Sequence, residues 1–144
     1  MQPSFFSARR SAMHGLLAWG SLSMLAGAAA WLYGNLVVRQ IGLQALVWGA
    51  IDAALAIAGL RATQQAVARG EAVAPIARRD RRVLALNALL DTSYIAGGWW
   101  MIRKARSRAD RVGIGIGIMI QGFVLFVLDA LLAAIFSRYT RNEP

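Results

Sequence analysis

Three aspartates lie far from the ends of apolar stretches in this 144-residue chain: Asp52, Asp91 and Asp129. An Asp at the centre of a transmembrane helix costs about 2.5–3.5 kcal/mol on insertion scales, so each side chain is expected to face protein rather than lipid. The same stretches contain no Lys or Arg that could neutralise the acids. Because three desolvated carboxyl groups would repel one another, we do not expect all of them to be ionised.

Further polar residues recur near these acids at helical spacing. On ideal helices measured from the side that holds the termini, Asp52 and Asp91 lie about 12 Å deep and Asp129 about 10 Å deep. The resulting candidate polar cluster has seven members: His14, Asp52, Asn87, Asp91, Tyr94, Gln121 and Asp129. Such a cluster serves either to fix helix packing through hydrogen bonds or to carry protons, cations or a polar ligand, and the packing role is the preferred interpretation.

The residue inventory excludes several kinds of chemistry. The chain has no Cys and one His, so thiolate metal sites, disulfides and multi-histidine metal or haem sites cannot be built within it. No pairing of nucleophile and base appears in the pattern either. The sequence therefore predicts a protein that is not an enzyme and that needs no cofactor and no metal.

The elements that must position the cluster are four long apolar segments. The predicted helices cover about residues 12–33, 41–69, 83–102 and 112–136; the apolar part of the second ends near residue 60, and its polar end is expected to project from the membrane. Each apolar stretch reaches the roughly 20 residues that a helix needs to cross a bilayer. We therefore predict an all-α fold: a single domain over residues 1–144, an integral membrane four-helix bundle of antiparallel transmembrane helices with short loops.

Composition and charge agree with a membrane location. Hydrophobic residues make up 58% of the chain and charged residues 16%, with a formal net charge of +9. Because the Arg and Lys residues flank the apolar segments, they are expected to contact anionic lipid rather than nucleic acid. Ten of them fall on the side of the termini and six on the other. This difference predicts that both termini lie on the cytoplasmic side of a bacterial inner membrane. A cleaved signal peptide is the alternative for the first segment, although its apolar stretch is longer than the 7–15 residues typical of one.

Four stretches carry a resemblance to a known family. They are His14-Gly-Leu-Leu-Ala-Trp-Gly20, Trp48-Gly-Ala-Ile-Asp52 with Gly59, Leu86 through Gly98, and Gln121-Gly-Phe through Asp129. The chain resembles a family of small bacterial membrane proteins that is classed as a domain of unknown function. The resemblance implies a four-helix integral membrane protein, and it implies no activity. Members often carry Asn near the position of Asp52, so this acid departs from the family pattern.

Two classes of function follow from these observations. The first is a non-catalytic membrane module, either a homo-oligomer or a subunit of a larger membrane complex, in which the polar cluster fixes helix packing. The second is a small transporter or a proton- or cation-conducting protein that uses the three acids.

Overall fold

The computed structural model describes residues 4–140, which form four α-helices joined by short turns. The helices are α1 (Phe5–Tyr33), α2 (Leu36–Ala68), α3 (Val73–Lys104) and α4 (Ala109–Ser137). The predicted all-α, four-helix architecture is confirmed. Every helix begins before the apolar segment that predicted it, most markedly α3, which starts at Val73 instead of near Val83. Hydropathy locates only the membrane-compatible part of a helix, whereas Ala- and Arg-rich flanks continue the helix because their helix propensity is high.

Local signals in the sequence set the helix ends. The Ser4 hydroxyl accepts a hydrogen bond from the Ser7 N–H at 3.3 Å, and the Asn35 side chain accepts one from the Val38 N–H at 3.1 Å, which caps α1 and α2. Gly70 follows the end of α2 with a φ of +61°, a left-handed conformation that favours glycine. Helix α2 therefore ends just before Gly70.

Glycines allow each pair of consecutive helices to pack as a tight antiparallel hairpin. A Cβ atom built on Gly20 of α1 would lie 2.6 Å from the carbonyl oxygen of Gly49 in α2, so only glycine permits this approach. The second hairpin has the same kind of glycine contact, since a Cβ on Gly98 of α3 would lie 2.6 Å from the carbonyl oxygen of Gly115 in α4. Backbone-to-backbone contact of this kind is the packing expected of helices in a membrane.

The two hairpins meet mainly through α2 and α4, which run parallel to each other. They approach closely near their starts, where Gly113 faces Val37 and Gly117 faces Gln44. By contrast, α1 and α3 share very few backbone contacts. The hairpins are thus joined along one side and remain apart on the side formed by α1 and α3.

Three of the helices described within residues 4–140 are long and apolar enough to cross a membrane: α1, α2 and α4. The 32-residue α3 has the length but not the composition. Its central part carries Asn87, Asp91, Thr92 and Ser93, which lower its mean hydropathy.

All four helices contribute to a small hydrophobic core at the end of the bundle that holds both termini. Its buried members, which we call the terminal cluster, are Phe5, Ala66, Ile76, Ala77 and Phe136. The Phe5 and Phe136 rings pack edge to face, with 5.3 Å between their centroids. Most of the terminal cluster lies outside the apolar segments identified in the sequence, so this end of the bundle has a core of its own beyond the stretches predicted to lie in the membrane.

Candidate functional site

A cavity of about 350 Å³ lies between the two hairpins, in the half of the bundle nearer the termini. All four helices line it, and its α2 and α4 walls lie further along these helices than their close contact at Gly113 and Gly117. Five of the seven members of the predicted polar cluster line this one cavity: Asp52, Asn87, Asp91, Tyr94 and Asp129. A volume of this size falls within the range of small-molecule sites in proteins.

The three acids differ in their surroundings. The exposed fraction of Asp52 is 2% and that of Asp91 is 4%, whereas Asp129 is half-buried. The Asn87 side chain interacts with the carboxyl group of Asp129. Within the described residues, however, the Oδ2 atoms of Asp52 and Asp91 have no hydrogen-bond partner. Buried polar atoms in folded proteins are nearly always paired, so these two carboxyl oxygens, on residues that line one cavity, lack a partner that residues 4–140 do not supply.

The remaining walls of the cavity are apolar and aromatic. Trp48 of α2 and Tyr94 of α3 both line the cavity and pack edge to face, with 5.4 Å between ring centroids and an interplanar angle of 63°. Most other lining side chains are leucines: Leu16, Leu55, Leu84, Leu90, Leu125, Leu128 and Leu132. Among the described residues that line the cavity there is no Lys or Arg. The three acids are therefore the negatively polarised groups of a cavity whose lining is otherwise largely apolar.

A model of a family of unknown function, DUF6992, matches residues 15–130, which include every acid of the cavity. The chain belongs to this family. The match confirms the resemblance carried by the four sequence stretches. Neither a curated protein nor a solved structure shows a significant match. Membership in DUF6992 brings no activity with it, so any function must be argued from the cavity itself.

Two predicted cluster members lie outside the cavity. His14, just before the region matched by the DUF6992 model, is exposed, whereas its neighbour Met13 lines the cavity. Successive residues of a helix point about 100° apart, so an error of one residue in the assumed helix face is enough to place His14 on the outside. Gln121 is buried, with 4% of its surface exposed, and its Oε1 has no hydrogen-bond partner among the described residues. It lies about two turns from Asp129 towards the start of α4.

The described residues form no site for a metal ion. No group of three or more His, Asp or Glu side chains within residues 4–140 has an arrangement that could hold one. The three cavity acids project from three different helices and line a space far larger than an ion.

A buried ionic network that the sequence pattern did not predict lies between the cavity and the terminal cluster. Arg9 of α1 donates from Nε to Oδ2 of Asp80 in α3 at 2.7 Å, and from Nη1 to the hydroxyl oxygen of Thr63 in α2 at 2.8 Å. The Thr63 hydroxyl in turn donates to the carbonyl oxygen of Gly59 at 2.7 Å. The network joins three helices, and Arg9 in this position is a structural cation rather than a lipid-facing one.

Arg9 and Asp80 also line a second cavity of about 290 Å³ towards the termini. Three side chains, Met13, Leu84 and Leu132, line both cavities. The two spaces therefore follow one another along the bundle, with these three apolar side chains at their boundary.

Proposed function

We propose that this chain is a non-catalytic, multi-pass membrane protein that binds a cation in the acid-lined cavity and transports it. The observation that carries the proposal is that Asp52 and Asp91, which line one cavity, each have a buried carboxyl oxygen without a hydrogen-bond partner among residues 4–140. A cation supplies the opposite charge that these carboxyl groups lack, and a protonated amine also supplies hydrogen-bond donors. A cation bound in the cavity would thus offset the free-energy cost of burying these acids inside the bundle.

A cluster that served packing alone would be expected to pair its own polar atoms. The closest helix approaches in each hairpin are made instead by glycine backbones, such as Gly20 with Gly49 and Gly98 with Gly115. Helix register therefore has an explanation that does not need the acids. For this reason we place the transport role ahead of the packing role that the sequence pattern alone favoured.

The proposal includes a specific arrangement in the membrane. All four helices span the bilayer, α3 among them, because residues 83–102 of α3 run beside α4 and supply the Asn87, Asp91 and Tyr94 walls of the cavity. Both termini lie on the cytoplasmic side of a bacterial inner membrane, since the side with the termini carries ten of the sixteen Lys and Arg residues. The exposed members of these basic groups contact anionic lipid headgroups.

Proton flux in proteoliposomes tests the proposal. Purified protein is reconstituted with a trapped pH-sensitive dye, and a proton gradient is imposed with Na⁺ or K⁺ as the counter-moving cation. We expect flux above that of empty liposomes, because an acid site that carries cations also carries protons, either alone or in exchange. Asp91→Asn keeps the shape of the side chain and removes its charge, so this variant should lose at least about nine-tenths of the flux.

Asp110→Asn is the matched control. It makes the same chemical change at an acid in the first turn of α4, outside the cavity, where the carboxylate pairs with Arg108 at 2.9 Å. This variant should conduct like the unmodified protein. Equal flux in the Asp91→Asn and unmodified proteins, or no flux above empty liposomes from well-folded protein, would contradict the proposal.

A further inference from the structure

The cavity suits a ligand with an apolar body as well as a positive charge. A bare or hydrated inorganic cation would use only the carboxyl groups of Asp52, Asp91 and Asp129, and would leave the leucine and aromatic walls without a partner. Specific small-molecule sites are typically mostly apolar, with a few polar groups that fix orientation. The acid-lined cavity has this distribution, with three acids from three helices and leucines as most of the apolar lining.

The aromatic pair adds a second feature that favours an organic cation. Trp48 and Tyr94 line the same cavity as the acids, and their rings are in contact, with 5.4 Å between the ring centroids. The face of an aromatic ring attracts a cation within about 6 Å, most strongly where water is excluded. Asp91 and Tyr94 are three residues apart on α3 and therefore lie on neighbouring positions of one helix face. One ammonium group between them can contact a carboxyl oxygen and a ring together.

A route for such a ligand lies on the side of the bundle where the hairpins are apart. Helices α1 and α3 have little direct packing, although both line the cavity, through Met13 and Leu16 on α1 and Leu84 and Leu90 on α3. If the helices cross the bilayer as proposed, this seam faces lipid hydrocarbon. An amphiphilic molecule that partitions into the membrane reaches the acids through the seam without crossing an aqueous channel.

We infer that the ligand of the acid-lined cavity is a lipophilic organic cation, an amine or quaternary ammonium with a hydrocarbon or aromatic body, that enters from the bilayer between α1 and α3. The inference rests on the proposed cation site and names the class of cation. The ammonium group lies against Asp52 and Asp91, and the body lies against Trp48, Tyr94 and the leucines.

Direct binding in lipid nanodiscs tests this inference separately from transport. The probes are benzyltrimethylammonium, tetramethylammonium and benzyl alcohol, which supply charge with an aromatic body, charge alone, and an aromatic body alone. Binding is measured by calorimetry after subtraction of the signal from empty nanodiscs. Benzyltrimethylammonium should bind at least tenfold more tightly than either of the other two. Equal binding of benzyltrimethylammonium and benzyl alcohol, or of benzyltrimethylammonium and tetramethylammonium, overturns the inference.

Variants locate the binding. Asp91→Asn should weaken benzyltrimethylammonium binding about tenfold or more, because a charge-assisted contact is lost. Tyr94→Leu should weaken it about threefold or more, whereas Tyr94→Phe, which keeps the ring, should bind like the unmodified protein. Unchanged affinity in both Asp91→Asn and Tyr94→Leu overturns the inference. If Asp91→Asn does not fold, Asp52→Asn, at the other acid against which the ammonium group lies, takes its place with the same expected loss.

The two proposals fail differently. Proton flux without benzyltrimethylammonium binding leaves the transport proposal standing and overturns the organic-cation ligand. Benzyltrimethylammonium binding that depends on Asp91 and Tyr94, without proton flux either in the absence of this cation or with it as the counter-moving cation, supports the ligand assignment and overturns the transport role.

Discussion

The guanidinium group of Arg9 and the carboxyl group of Asp80 form a 2.7 Å ion pair that ties the start of α1 to the start of α3. Their side chains are only 9% and 14% exposed, and Thr63 of α2 accepts a further hydrogen bond from Arg9. Because α1 and α3 otherwise share few contacts, this pair is a principal direct link between them. It closes the seam at the terminal end while the seam beside the acid-lined cavity stays without such a link.

Removal of Asp80 should therefore destabilise the bundle strongly. Asp80→Ala leaves the Arg9 charge buried without its partner, which costs about 3 kcal/mol or more. Thermal unfolding of the purified variant in detergent would measure the loss. Asp110→Ala is the control, because it breaks an Arg–Asp pair whose side chains are 58% and 36% exposed and should leave the unfolding midpoint unchanged. Equal midpoints for the two variants would show that the Arg9–Asp80 pair is not a structural link.

Two adjacent glycines of α3 provide a sharp test of the hairpin contacts. A Cβ on Gly98 would collide with the backbone of Gly115, whereas a Cβ on Gly97 would meet nothing within 4 Å. Gly98→Leu should therefore destabilise the bundle by about 3 kcal/mol or more through overpacking. Gly97→Leu should be tolerated, because its side chain points away from α4. The ratio of folded to aggregated protein on size exclusion, with thermal unfolding, distinguishes them, and comparable behaviour of the two variants would place α3 and α4 differently.

Reporter fusions should give the topology of four spans with cytoplasmic termini. Alkaline phosphatase fused after Asn35 or after Ser107 should be active, because both positions lie in turns on the side opposite the termini. Fusions after Gly70 or after Thr140 should be inactive as phosphatases and fluorescent as green fluorescent protein fusions. An active phosphatase after Thr140 combined with an inactive one after Ser107 would reverse the orientation. If the fusions after Gly70 and Ser107 report the same side, α3 does not cross the membrane.

Lipophilic and hydrophilic carbodiimides should label different acids. Asp52, Asp91 and Asp129 line a cavity beside the α1–α3 seam, so dicyclohexylcarbodiimide dissolved in the bilayer should modify one or more of them. Asp110 is paired at the bundle surface and should be modified only by a water-soluble carbodiimide. Peptide mass spectrometry after proteolysis reads out both patterns. Labelling of Asp110 by the lipophilic reagent without labelling of any cavity acid would show that the cavity does not open to lipid.

The helices and their glycine faces were accessible from the sequence because they depend on local composition. Apolar length predicts a helix, and Gly20 and Gly98 fall on small-residue stripes that indicate close packing. The partner of each glycine was not accessible: on α4, Gly115 faces α3 whereas Gly113 and Gly117 face α2. That choice depends on how the two hairpins dock, which no single helix encodes.

The acids of the site could be found from the sequence for a related reason. A carboxyl group in an apolar segment is costly, so Asp52, Asp91 and Asp129 are conspicuous. The cavity is not encoded in the cost of any one residue, and Trp48 lines it although it was not a member of the candidate polar cluster. Arg9 was assigned to lipid contact because its partner Asp80 is 71 residues away in the chain. The residues around Arg9 carry no pattern that predicts this pairing.

The distance between Arg9 and Asp80 along the chain imposes an order of events during synthesis. At about 5–20 residues per second, the 71 residues that separate them take roughly 4 to 14 seconds to emerge from the ribosome. The α1–α2 hairpin, with its glycine contacts, can close within that interval, and Thr63 reaches Arg9 before Asp80 does. The first hairpin thus forms while Arg9 still lacks the carboxyl group of Asp80, and the arrival of the second hairpin completes the ionic network as well as the cavity. A nascent chain halted before Asp80 holds a hairpin whose helices are in contact but whose buried charge still needs water, lipid headgroups or a chaperone.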